Sequence, residues 1–142
     1  MKKLVWLAAI VIALFALDWA IRAPDSQARD LTRAIAERGS PELLAYPYQF
    51  RVLKVDEGVA YVTTPRSFDV PAARLIALLF PDINTKDAND PAFVAAEKRL
   101  AAIQGEAQTI VASQPGIRAV RWKIDRDWLT AHGIDVPDGA GP

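Results

Sequence analysis

Apolar residues fill positions 4–17 without a break, from Leu4 to Leu17, and after Asp18 the run resumes with Trp19, Ala20 and Ile21. A helix over residues 4–21 rises about 27 Å, close to the hydrocarbon thickness of a bilayer. Lys2 and Lys3 precede the run, and Trp6 and Trp19 stand near its two ends, where indole rings favour the interface. Asp18 falls within a turn of the outer end, in reach of water or headgroups. The pattern predicts a transmembrane helix, with residues 1–22 as the anchor. A cleaved signal peptide has the same basic start and apolar core. Cleavage wants small residues at −3 and −1, and the pairs available are Leu14/Ala16, Asp18/Ala20 and Ile21/Ala23. The expectation is therefore an uncleaved, single-pass anchor. Two lysines and the start amine outweigh Arg22, which keeps the N-terminus in the cytoplasm and turns the remaining chain to the periplasmic side of the inner membrane.

Beyond the anchor the period changes repeatedly. Ala28, Leu31, Ala34 and Ile35 share one stripe of an amphipathic helix over residues 26–38, stopped by Gly39. Ser40 and Pro41 start a short helical turn running to Ala45. Residues 48–55 and 59–64 are rich in β-branched and aromatic side chains, and Asp56-Glu57-Gly58 joins them as a hairpin. Residues 71–80 read as a short buried helix stopped by Pro81, and residues 82–90 as a polar loop. Asp90-Pro91 is a helix start, with Phe93, Leu100, Ile103, Ala107, Ile110 and Val111 at helical spacing and Glu97, Arg99, Glu106 and Gln108 on much of the other side. Residues 117–125 alternate: Val120, Trp122 and Ile124 face the core, Ala119, Arg121 and Lys123 the solvent. Asp127 caps a last turn ending at Gly133. The predicted fold is α+β, a transmembrane helix followed by a small three-stranded sheet covered by helices on one face, in the order α-β-β-α-α-β. Residues 23–134 form the single extracytoplasmic domain and residues 135–142 a flexible tail.

Composition narrows the function classes. Taking Lys2, Lys3, Arg22 and Asp18 from 17 cations and 17 anions leaves 14 and 16 beyond the anchor, a net charge near −2. That slight acidity argues against a nucleic-acid partner. The chain has no cysteine, which removes lipoprotein anchoring, disulfides, thiol catalysis and cysteine metal sites together. Its one histidine, His132, sits beside Gly133, where a helix C-terminus favours an exposed imidazole. Asp82, Asn84, Asp87, Asn89 and Asp90 resemble calcium ligands. Lys86, Asp87 and Phe93 nevertheless occupy the fifth, sixth and twelfth positions of the loop pattern, so turn and cap chemistry is the expectation. Glu97 and Glu106 lie two and a half helical turns apart and do not form an acid–base pair. No catalytic residues, metal ligands or cofactor motifs emerge, and the chain reads as a non-enzyme. The surface candidate is the cationic cluster Arg118, Arg121, Lys123 and Arg126 with Trp128 beside it, suited to anionic phospholipid or an acidic envelope protein, with Asp125 and Asp127 partly neutralising it.

The helix at 26–38, the hairpin FRVLKVDEGVAYVTT, the long helix and the ending QPGIRAVRWKI together resemble the BON domain. Val52, Leu53, Val55, Gly58, Ala60 and Val62 stand at the positions of that family's hairpin motif, and residues 115–120 at its closing proline-glycine strand. Thr64-Pro65 replaces the family's glycine after the hairpin, and residues 66–90 are an extra segment. The resemblance implies a non-enzymatic envelope module that contacts phospholipid or protein. The alternative is an accessory subunit of an envelope complex assembled through the transmembrane helix.

Overall fold

The computed structural model describes residues 2–22 and 26–139. The first helix, α1 (Lys2–Arg22), exposes every described side chain through Leu17, including Leu4, Trp6, Ile12 and Phe15 at 76%, 72%, 68% and 77%. Among the described residues no helix is long and apolar enough to cross a membrane. The apolar side chains described in α1 end at Leu17; the interfacial placements expected of Asp18 and Trp19 fall among the side chains of residues 18–22, which lie outside the description, as do residues 1, 23–25 and 140–142 altogether.

The rest of the chain folds as α2 (Ser26–Arg38), α3 (Pro41–Leu44), β1 (Val52–Asp56), β2 (Val59–Thr64), α4 (Ala72–Leu79), α5 (Pro91–Ala112), β3 (Ala119–Ile124) and α6 (Arg126–Ala131). The α+β class, the three strands and their order are those the periodicity predicts. The sheet is mixed, in the order β1-β2-β3: β1 and β2 are antiparallel, while β2 and β3 are parallel because α4 and α5 carry the chain back across it. The hairpin turn is two residues, Glu57-Gly58, with φ of 48° and 79°, the geometry whose twist matches the flanking strands. A side chain at Gly58 would also meet the Gly116 carbonyl at 3.0 Å, so hairpin tip and β3 entry pack closely only with glycine there.

Two helical stripes meet the inner face of the sheet. Ala28, Leu31, Ala34 and Ile35 of α2 pack with Phe93, Leu100, Ile103, Ala107 and Val111 of α5 over Val52, Ala60 and Val62. The α5 start is set by Asp90, whose carboxylate accepts the Ala92 and Phe93 amides at 3.0 and 3.2 Å, with Pro91 in the first turn. Ser40 caps α3 through its hydroxyl, and Glu106 of α5 grips both the Ser40 amide at 2.6 Å and its hydroxyl at 2.9 Å. Glu106 thus ties two helices together instead of standing on a polar outer face.

Several boundaries and roles depart from the sequence reading. The first strand begins at Val52, not residue 48, because β2 ends at Thr64 and the Thr63 amide donates to the Arg51 carbonyl as the last rung available. A bulge at Leu53 follows. Helix α4 buries only Leu75, Ile76 and Leu79, one face and not its whole circumference. Trp122 is half-buried, edge-on to Phe50 at 6.0 Å, because its outer side opens into a cleft.

The largest correction concerns Asp125. It is 4% exposed and caps α6 by accepting the Trp128 amide at 3.2 Å, the role expected of Asp127. Its carboxylate also accepts the Tyr48 hydroxyl at 2.8 Å and an Arg51 ion pair at 3.1 Å, so it is not a counter-charge for the surface cations. Tyr48 stacks edge-on against Phe50 and Trp128, and burial above all pushes its hydroxyl far above the usual tyrosine range. Tyr46 is 1% exposed, lies edge-on to Phe80, and has the Arg99 guanidinium over its ring at 5.6 Å. Its hydroxyl makes no hydrogen bond among the described residues. Burial raises it to about 12, with Arg99 opposing.

Two predictions follow from these buried polar groups. Asp125→Ala removes a helix cap and the acceptor of the Tyr48 hydroxyl, and should lower the unfolding free energy by about 2–4 kcal/mol in urea titration. A loss below half a kilocalorie would show that Asp125 does not hold α6 to the sheet. The unpaired Tyr46 hydroxyl, by contrast, makes Tyr46→Phe neutral or stabilising at pH 7. With the tyrosine raised from 10.0 to about 12, stability holds below pH 10 and falls as pH climbs toward 12, because the unfolded chain ionises first. Thermal melts from pH 9 to 12 should therefore fall less steeply for Tyr46→Phe than for the parent chain.

Candidate functional site

The cross-strand register assembles a surface that the sequence cluster only half contains. Lys54 pairs with Tyr61 and Tyr61 with Arg121, so a cation–aromatic–cation row crosses the outer face of the sheet, and Lys123 follows beside Thr63. The Lys54 ammonium lies 4.7 Å from the centre of the Tyr61 ring. Arg121 and Lys123 are exposed, as the alternation predicts. Asp56 shares this face at the hairpin end and is its nearest acid along β1.

The other residues of the predicted cluster go elsewhere. Arg118 is exposed, but its Nε donates to the Glu57 carbonyl at 2.6 Å and its amide to the Gly58 carbonyl at 2.9 Å, clamping the hairpin tip. Arg126 turns to the tail, donating to the Val136 and Pro137 carbonyls at 3.2 and 2.7 Å and pairing with Asp138 at 3.6 Å. Ile134 is buried and Val136 packs against the core, so the tail is engaged at these positions. Trp128 is half-buried between Tyr48 and His132. Lys54 and Tyr61 are not in the predicted cluster, Tyr61 being expected only as a core or cross-strand partner, although a two-residue turn at Glu57-Gly58 fixes their pairing by counting back along the hairpin.

A second feature lies on the inner side, between α4, α5 and the end of the sheet: a cleft of about 520 Å³. Leu75, Ile76, Leu100 and Trp122 make its apolar wall, and Arg66, Ser67, Phe68, Val70 and Pro71 form its rim. The fully buried Thr64 hydroxyl donates to Gln104 Oε1 at 3.0 Å and accepts the Arg66 amide at 3.1 Å. Arg66 and Glu97 both line the cleft and are exposed, and neither makes an ion pair among the described residues. Phe68 stands on the rim at 95% exposure.

The remaining candidates have local explanations. In the loop at 82–90, Asn84 accepts the Lys86 amide and Asp87 the Asn89 amide, which is turn chemistry. Among the described residues, no group of three or more histidines and carboxylates is placed to hold a metal ion. His132 is exposed, with Nδ1 bonded to the Trp128 carbonyl at 2.7 Å and its ring 4.2 Å from the Trp128 ring. Comparison with known proteins gives no match to this chain, whether a family model, a curated protein or a solved structure.

Proposed function

We propose that this protein is a non-enzymatic binding module of the bacterial cell envelope, anchored in the cytoplasmic membrane by residues 4–21 with its domain on the periplasmic side, contacting anionic phospholipid through the outer sheet face. The carrying observation is α1. Every described side chain from Leu4 to Leu17 is apolar and exposed, on all sides of the helix. A helix apolar all round is at home in lipid or among other helices, not against one face of a domain. The sequence continues the run through Trp19, Ala20 and Ile21, which brings it to the length a bilayer needs.

The row Lys54–Tyr61–Arg121, with Lys123, supports the lipid contact: three cations around an aromatic ring on one exposed face. Each cation near an anionic surface contributes about 1 kcal/mol, and Asp56 subtracts from the sum. Tethering beside the bilayer makes even that weak attraction effective, because the local concentration of headgroups is high. The order of elements that carries the resemblance to BON modules supports the same non-enzymatic reading.

The anchor is tested by the intact mass of the membrane-extracted protein, which should include residues 1–22; a species beginning after Ala20 or Ala23 would overturn it. The lipid contact is tested by flotation of the fragment 26–142, which retains the whole core, with phosphatidylglycerol vesicles. Binding should weaken as salt rises and disappear in Lys54→Glu, Arg121→Glu. Equal flotation of parent and double variant, or none at any salt, rules the face out. A partner protein retained through detergent extraction after loss of lipid binding would instead favour an accessory subunit of a larger complex.

A further inference from the structure

The cleft is separate from the basic face, since Trp122 points to the helix side of β3 while its neighbours Arg121 and Lys123 point outward. Its volume of about 520 Å³ falls within the range of small-molecule sites. Depth and mouth differ in chemistry. In the depth, Leu75 and Ile76 are 2% and 0% exposed and Leu100 is 5% exposed, and the buried Thr64 hydroxyl is already engaged by Gln104 and the Arg66 amide. Hydrocarbon entering there leaves the Thr64–Gln104 bond intact and meets an apolar wall along the depth.

The mouth offers one cation and one anion, Arg66 and Glu97, both exposed and both without an ion-pair partner among the described residues. A singly charged head matches one of these and opposes the other. A head carrying both signs matches the two together. Phe68 adds a 95% exposed ring on the same rim, an apolar surface for a chain where it leaves the cleft.

We propose that this cleft binds the aliphatic chain of a zwitterionic amphiphile, with the anionic part of the head at Arg66 and the ammonium at Glu97. The assignment does not depend on the lipid-surface reading, because it uses different residues on the other side of the sheet.

The test uses the full chain in nanodiscs, with Trp6→Phe and Trp19→Phe so that emission comes from Trp122 at the cleft and from Trp128. Four chain-matched, water-soluble probes are titrated: octylphosphoethanolamine, octyl phosphate, octylamine and octanol, with empty nanodiscs as the partition control. The zwitterion should bind saturably and about tenfold more tightly than octyl phosphate or octylamine, equivalent to 1.4 kcal/mol. Arg66→Gln should erase its advantage over octylamine, and Glu97→Gln its advantage over octyl phosphate. Ala72→Trp, at an exposed position on the rim, should block all four probes without lowering the melting temperature. If it does unfold the domain, the two glutamine variants at exposed positions decide the matter. Uptake no greater than in empty nanodiscs overturns the site. Saturable binding in which all four probes are equivalent, or in which neither glutamine variant alters the ranking, overturns the head-group assignment.

Discussion

The buried carboxylate of Asp125 is the constraint on which the far end of the domain depends. One oxygen pair joins two stretches of chain that lie 77 residues apart between Tyr48 and Asp125. Tyr48 and Arg51 come from the approach to β1, the Trp128 amide starts α6, and Asp125 itself directly follows β3. An isolated buried anion is expensive, and here the hydroxyl, the guanidinium and the helix start together offset that penalty. The Asp125 amide also donates to the Thr64 carbonyl at 2.8 Å, extending the parallel pairing one residue past the sheet. The aromatic cluster of Tyr48, Phe50, Trp122 and Trp128 is arranged around this point in edge-to-face contacts of 5.0 to 6.0 Å.

The two sides of the sheet are specialised by the same strands. Inward residues of β2 are fully buried, Ala60 and Val62 in the core and Thr64 at the cleft, while outward residues pair cations with Tyr61. Residues 65–71, which follow β2 directly, then open the cleft instead of closing the core over Trp122. A domain of this size thereby presents two chemically distinct surfaces without any irregularity in the sheet beyond the bulge at Leu53.

Local periodicity carried most of the fold into view. The stripe in α2, the Asp90-Pro91 start of α5, the hairpin and the alternation of β3 were all legible, because each follows from neighbouring residues alone. What stayed hidden depended on partners remote in sequence. Nothing near Asp125 announces that Tyr48, 77 residues away, will claim its carboxylate, so Asp127 looked the better cap. Glu106 looked like a solvent-facing helix residue because its partner Ser40 is 66 residues away. The cationic cluster was read along one strand, whereas the sheet builds its surface across three. That geometry keeps Arg121 and Lys123, adds Lys54 and Tyr61, and diverts Arg118 and Arg126 to structural work. The cleft had no local signature, since its lining comes from α4, α5, β3 and the segment after β2, which meet only in the folded chain.

The parallel pairing of β2 with β3 bears on how the chain acquires its shape. The hairpin and α2 are contiguous and can form from local contacts as they leave the ribosome, but Thr64 must wait for Ile124, 60 positions later, before its strand is flanked on both sides. Such distant pairing is the slow part of folding, because the loop must close before any contact rewards it. Until then the central strand is a temporary edge. Val59, Tyr61 and Val62 are then open to pairing with another chain, and Lys54, already beside Tyr61 in the hairpin, is the charge that discourages it.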